Sequence, residues 1–436
     1  MKNTIILACI SFHFLFSPAF AAVPLTDAQW EKKAAKIIDF VQFKAGDYKR
    51  MYFEDESLVL PGVDVCKADD FSILKGKRVG LITNHTGKTI NGTPTSKLLA
   101  ETPDVNLVAI FSPEHGFNGD IENVKIDDSN DPATGVKVYS LYGTVRKPTP
   151  EMLKDIDVLV FDIQDIGTRF YTYISTMLGA IESAAKAEIP FVVFDRPNPI
   201  RGDLVQGPLL QNGRETFVGC FRLPIRHGMT AGELAFMMNI ENRIGVDLHV
   251  VPCVGWLPSM DFSETEIPWI NPSPNMRSLT AAYLYPGIGL LEFTNISVGR
   301  GTDTPFEQIG APWLDGEKLA LKLRELNLQG IEFEPIRFTP NSSKFEKIEC
   351  KGVRFTLTDK ETFHPVRLGF SIATLLREMY PDKWEAEKID TLLLWDEGKQ
   401  MILDGKSVGD IEEKYELDLE KFINDREQYR LYCDCE

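Results

Sequence analysis

The 436-residue chain is 43% hydrophobic and 10% aromatic and carries a formal net charge of −17. That length and apolar content allow two or three domains with a substantial core. The acidic balance argues against general binding to the phosphate backbone of nucleic acid and favours solubility.

Residues 1–21 read as a secretory signal peptide. Lys2 supplies the positive start, Ile5 to Phe16 is apolar apart from Ser11 and His13, and Ala19-Phe20-Ala21 fits a small-x-small cleavage site. The apolar run is too short for a membrane span. Cleavage after Ala21 therefore predicts an exported protein, periplasmic or secreted, whose mature part does not insert into a membrane. A lipoprotein reading of Cys9 ranks below this one, because few apolar residues precede it.

Residues 22–69 form an N-terminal helical segment, with Trp30, Ala34, Ile37, Ile38 and Val41 at helical spacing. From there to residue 255 the pattern alternates. Arg78 to Thr83, Asn106 to Phe111, Val158 to Phe161 and Phe191 to Phe194 are continuous apolar runs of the kind buried on both faces of a parallel sheet. Between them Tyr171 to Ala187 reads as a helix, and Thr149-Pro150 as an N-cap and first helical residue. Thr230-Ala231-Gly232-Glu233 reads as a capping box opening a helix through Met238. The pattern predicts an α/β, Rossmann-like, doubly wound and mainly parallel sheet over 70–255.

Residues 256–436 predict a smaller mixed α+β domain. Pro and Gly are dense from Pro268 to Pro312, which reads as long ordered loops. A helix (Gly316 to Leu326), strands (Phe333 to Phe338 and Val353 to Leu357), a helix (Leu368 to Met379) and a charged helical tail follow. Cys66, Cys220, Cys253, Cys350, Cys433 and Cys435 show no zinc spacing, and Cys433-Asp434-Cys435 reads as a frayed terminus.

Almost every strand of the first domain runs directly into a polar motif that contains Gly or Pro. These are Asn84-His85-Thr86-Gly87, Pro113-Glu114-His115-Gly116, Asp162-Ile163-Gln164-Asp165 with Arg169, and Asp195-Arg196-Pro197-Asn198. In a parallel sheet they gather at the carboxyl edge, where open α/β sheets bind ligands. Partial burial of Glu114 beside Pro113 suits a general acid, whereas the plainer reading is a carboxylate tying loop amides. Asp162 reads as structural and Asp165 as facing substrate. Arg196 and the Arg226-His227 pair offer cations for a carboxylate, with cross-loop salt bridges as the plain alternative. A second cluster holds Asn275, Glu292, Asn295 and Arg300 among Gly and aromatic neighbours, as a sugar pocket would. No Gly-x-Gly-x-x-Gly, Gly-x-Ser-x-Gly, P-loop or His-Glu-x-x-His is present, and the His spacing fits no metal site, so no cofactor or metal is expected. Carboxylates, amides, His and Arg remain, a set that suits glycoside hydrolysis.

The segments GLITNHTG (80–87), FSPEHGF (111–117), DIQDIGTRFYTY (162–173), FDRPNPI (194–200), RHGMTAGELA (226–235), NPSPNM (271–276) and LLEFTNISVGRGTDTPFEQIGAPW (290–313) resemble the bacterial exo-β-N-acetylmuramidase family. The resemblance spans roughly residues 75 to 370. It implies a Rossmann-like catalytic domain, a smaller C-terminal domain, and a cleft site that releases N-acetylmuramic acid from the non-reducing end of β-1,4-linked peptidoglycan fragments, disaccharides and muropeptides. It makes Glu114 the catalytic acid and Glu292 the second carboxylate. Retention, inversion and assistance by the substrate acetamide all stay open. In the last case Asp165, His115 or Asn295 would orient that group. Arg169, Arg196, Arg226 and Arg300 are candidates for the lactyl carboxylate, with Asn84, His85, His227, Asn275 and Asn295 as further substrate contacts. The competing classes are an exported muropeptide-binding protein without hydrolytic activity, and a deacylating hydrolase, which lacks an evident nucleophile–base pair.

Overall fold

The computed structural model describes residues 26–37, 41, 58–121 and 127–434. The proposed signal peptide and Cys435 lie outside them, as does most of the proposed helical stretch between 38 and 57. Residues 27–37 are helical, and Gly62–Ala68 forms a further helix.

Among the described residues twelve strands follow in chain order: β1 (Arg78–Thr83), β2 (Asn106–Ser112), β3 (Ser129–Asn130), β4 (Lys137–Ser140), β5 (Val158–Asp162), β6 (Phe191–Phe194), β7 (Gln206–Leu209), β8 (Pro224–Arg226), β9 (Leu248–Val251), β10 (Gln308–Ala311), β11 (Ile331–Phe338) and β12 (Cys350–Leu357). Seven of them make one sheet in the order β3-β4-β2-β1-β5-β6-β9, parallel except for the short β3. The alternation of side chains explains why the central strands are apolar throughout. Leu81, Val158, Val160 and Val192 enter one core, while Ile82, Leu159, Phe161 and Val193 enter the other. The order reverses at β1, which places β2 on one side and β5 on the other. Loops leaving the carboxyl ends of these strands therefore diverge around a crevice.

The helices Tyr173–Lys186 and Ala231–Glu241 lie where the sequence predicts them. Thr149 caps its helix by accepting from the Met152 amide, with Pro150 in the first turn. The capping box at Thr230 is formed in both directions. The smaller part carries an antiparallel sheet of order β10-β12-β11 backed by the helix Gly316–Glu325, on which the helix Pro365–Met379 packs in turn. One hydrophobic core runs continuously from Phe161 to Val353 and joins the two parts.

One expectation fails here. Within the stretch read as loops, Leu279–Ile288 is a helix despite Pro286. Every residue from Ala281 to Ile288 is buried, so no polar face marks it in the sequence. It crosses the helix Pro365–Met379 where Gly287 meets Pro365 and Gly369. A Cβ on Gly287 would lie 1.9 Å from the Pro365 carbonyl oxygen.

The segment 426–432 returns to the large sheet. Arg426 donates to the Gly228 carbonyl (2.6 Å), and the Leu431 amide donates to Glu233 Oε1 (2.8 Å). The Tyr432 hydroxyl donates to Asp195 Oδ2 (2.7 Å) and accepts from the Cys253 amide (2.8 Å). Burial pushes the Glu233 carboxyl up to about 7, against the opposing pull of Arg430 and the amides of Thr230 and Leu431. Unfolded, the group titrates near 4.5. Between those values the folded state holds the extra proton, so this group's stabilisation is full below 4.5 and is lost as pH rises through 7. Glu233→Gln does not titrate. Its destabilisation relative to the parent, measured by urea unfolding, is therefore expected to be larger at pH 5 than at pH 8, by up to about 3 kcal/mol.

Candidate active site

A loop leaves the carboxyl edge of the sheet after each of its six parallel strands, and the turns after β1 and β2 fold for local reasons. After β1, Asn84 Oδ1 accepts from the amide (2.9 Å) and hydroxyl (2.6 Å) of Thr86, a side-chain-closed turn. The Thr86 hydroxyl in turn accepts from the Gln164 amide (3.0 Å) and locks this loop to the one after β5. His85 Nε2 donates to the Asn271 carbonyl oxygen (2.7 Å), and burial lowers its pKa, so the ring is neutral. Gly119 packs flat on that ring, leaving no room for a Cβ.

After β2 the chain turns sharply at Pro113–Gly116, with His115 in the left-handed region (φ 71°) and its Nδ1 donating to the Ile121 carbonyl oxygen (3.0 Å). The turn presents Glu114, half-buried, to a cavity of about 520 Å³. Glu114 Oε2 accepts from the Thr172 hydroxyl at 2.5 Å, and the carboxylate also accepts from the Tyr142 hydroxyl. Burial, then the Glu114 charge and this hydrogen bond, push the Tyr142 phenol up to about 12, so it stays a donor at any physiological pH. Two hydroxyls from different loops thus fix the plane of one carboxyl group.

The opposite part of the lining comes from the segment after the helix Leu279–Ile288. Glu292 lines the same cavity as the carboxylate half of an ion pair with Arg300, their side chains 15% and 23% exposed. Between the two acids lie aromatics packed edge to face. Tyr285 meets Phe170 edge-on at 5.2 Å and Phe306 at 4.7 Å, and it feels the charges of both Glu114 and Glu292. A cavity of this size, whose aromatic walls also carry carboxylates, guanidinium groups, hydroxyls and an amide, is of the kind that takes a small polar ligand. Two larger hollows of about 700 and 780 Å³ lie wholly within residues 312–412 and receive nothing from the sheet edge.

Of the residues singled out in the sequence, Glu114, His115, Asn275, Glu292 and Arg300 come together in this cavity. The others do not. Arg169 is fully buried, its guanidinium donating to the carbonyls of Pro208, Leu223, Leu392 and Leu393 at 2.7–3.1 Å. Arg226 is fully buried, donating to the Ile200 carbonyl and stacked near Tyr283. Neither can reach a ligand, because each is enclosed by backbone it satisfies. Arg196 pairs with Asp162 (2.6 Å) and donates to the Lys88 carbonyl, and it borders a separate hollow of about 260 Å³. Asp162, read as structural, also accepts from Thr95 (2.5 Å). Asp165 faces inward instead of toward substrate. It accepts from the Gly167 amide (2.7 Å) and stands 3.4 Å from buried His227, whose Nδ1 accepts from the Met229 amide. Asn295 bridges to Lys383 and Glu385, while Asn84 is spent on its own turn and His85 on the distant Asn271 carbonyl.

Sequence reasoning missed Tyr142, Arg146, Thr172 and Phe217, all in the lining. The signal for Thr172 was present, since it lies within the Phe170–Tyr173 run just past the β5 motif. Tyr142 and Arg146 follow β4, a four-residue strand too short to announce itself. Among the described residues no group of three or more His, Cys, Asp or Glu is placed to hold a metal ion, and no helix is long and apolar enough to cross a membrane.

Residues 79–280 match the family model "Exo-beta-N-acetylmuramidase NamZ, N-terminal", and residues 283–432 match "Exo-beta-N-acetylmuramidase NamZ, C-terminal". The chain is 44% identical over 378 residues to the peptidoglycan beta-N-acetylmuramidase NamZ of Bacillus subtilis (strain 168), a match covering 86% of this chain and 91% of the relative. Two crystal structures of DUF1343 family proteins from Bacteroides fragilis NCTC 9343 superpose with TM-scores of 0.81 and 0.71, at 39% and 34% identity. Each match covers 86% of this chain and 99% of the other. With both halves matched, this chain belongs to the exo-β-N-acetylmuramidase NamZ family of glycoside hydrolases.

Proposed function

We propose that this protein releases N-acetylmuramic acid from the non-reducing end of β-1,4-linked peptidoglycan fragments, with Glu114 as general acid. The observation that carries the reading is the meeting of Glu114 and Glu292, from opposite parts of the fold, in one aromatic-walled cavity. Glycosidic cleavage needs one carboxyl group that gives a proton to the leaving oxygen and a second group that stabilises the cationic sugar or activates water. Glu292, ion-paired with Arg300, is the charged partner in this scheme. Glu114 is the proton carrier: Thr172 and Tyr142 hold its carboxyl plane, so its proton points along one fixed direction. If the substrate acetamide takes part instead, His115 and Asn275 are the lining side chains that can orient it. The signal segment read from the sequence would send this activity out of the cytoplasm.

Incubation of the purified protein with a MurNAc-GlcNAc disaccharide, followed by chromatography, tests the reading. Free N-acetylmuramic acid and N-acetylglucosamine are the expected products. Binding without cleavage would make the protein a muropeptide receptor and end the enzymatic account.

A further inference from the structure

Muramic acid differs from glucosamine by a lactyl ether at C3 that ends in a carboxylate, so a selective site needs a cation beside the ring. The cavity lining holds two arginines, Arg146 and Arg300. Arg300 is ion-paired with Glu292. Arg146 makes no ion pair with a carboxylate among the described residues. Its guanidinium carbon lies 4.6 Å from the centre of the Phe217 ring, which also lines the cavity. Stacking on an aromatic face holds the guanidinium plane while leaving its N–H edge open to a ligand. Arg146 stands on the Glu114 side of the cavity. It follows Tyr142 by four residues, and its charge acts on the Tyr142 phenol that donates to Glu114. A sugar whose glycosidic oxygen meets Glu114 would have its C3 substituent within the reach of a long, flexible side chain on that same wall.

We infer that Arg146, steadied by Phe217, grips the lactyl carboxylate and sets the preference for muramic acid over glucosamine. This rests on the proposed muramidase activity. The guanidinium fork offers two parallel N–H donors, matching the two oxygens of the carboxylate. Arg146 is exposed and bears none of the core, so its removal leaves the fold standing.

The test compares 4-nitrophenyl β-glycosides of N-acetylmuramic acid and of N-acetylglucosamine, together with the methyl ester of the muramide. Arg146→Ala is expected to lose about 10- to 100-fold in kcat/KM on the muramide, mainly through KM, as loss of a charge-assisted bidentate contact does. It is expected to lose far less on the glucosaminide and on the ester, so that the preference collapses. Arg146→Lys is expected to recover part of it. A parent protein that cleaves no muramide refutes the muramidase reading itself. A parent that prefers the muramide, with Arg146→Ala preserving that preference, refutes only the role of Arg146. So does a preference that falls in Arg300→Ala and not in Arg146→Ala. Unfolding midpoints of the variants equal to the parent's show that the shift is not a folding loss.

Discussion

Glu114→Gln is expected to fold as the parent does and to lose about 100- to 10,000-fold in turnover on the natural disaccharide. Gln keeps the shape and still accepts from the Thr172 hydroxyl, which holds Glu114 Oε2 at 2.5 Å, but it has no proton to give. The loss should shrink on a 4-nitrophenyl muramide, whose leaving group departs without protonation. A single-turnover measurement on both substrates checks this. Equal losses on the two would mean that Glu114 acts on the sugar cation or on water instead of on the leaving oxygen. Full activity of Glu114→Gln on the disaccharide would remove it from the chemistry altogether.

The second large effect falls on stability. Arg169→Met is expected to cost about 3–5 kcal/mol of unfolding free energy, read as a lower urea midpoint. The guanidinium of Arg169 satisfies four carbonyl oxygens, at Pro208, Leu223, Leu392 and Leu393, and so joins the β7–β8 ribbon to a segment that lies 223 and 224 positions beyond Arg169 itself. Met fills much of the volume but donates nothing, leaving those carbonyls short of a donor in a dry interior. Burial acts against the charge on Arg169, and no carboxylate answers it there. The carbonyl dipoles are what hold the cation in place. The folded fraction of the variant is expected to keep its preference for muramides. A lost preference with unchanged stability would return Arg169 to the substrate.

That contrast shows what the residue order could and could not reveal. The strands of the large sheet and the caps at Thr149 and Thr230 were legible because each depends on a few adjacent residues: a short apolar run, a hydroxyl three places before an amide. The carboxyl edge of the sheet was legible as well, since parallel strands deliver their following loops to one side. Which way a side chain turns there was not. Glu114 and Asp165 both follow apolar strands, yet one opens into the cavity and the other accepts an amide two residues along its own loop. Arg169 and Arg226 look like ligand cations in the sequence because the carbonyls that absorb them lie elsewhere in the chain. The helix Leu279–Ile288 escaped notice for the opposite reason. Enclosed on all sides, it has no periodicity to display, and Pro286 argues against it locally. Arg146 was hidden behind a strand of four residues at the margin of the sheet.

The return of segment 426–432 to the large sheet bears on how the molecule matures. Asp195, just past the carboxyl end of β6, is fully buried and takes one of its hydrogen bonds from Tyr432. Asp195 and Tyr432 are 237 positions apart. During synthesis the nascent sheet must wait for more than half the polypeptide before this acid acquires its phenolic donor. Deletion of residues 429–434 is therefore predicted to slow or abort the final consolidation of a region that those residues adjoin only in space, and to leave a half-finished intermediate open to proteases.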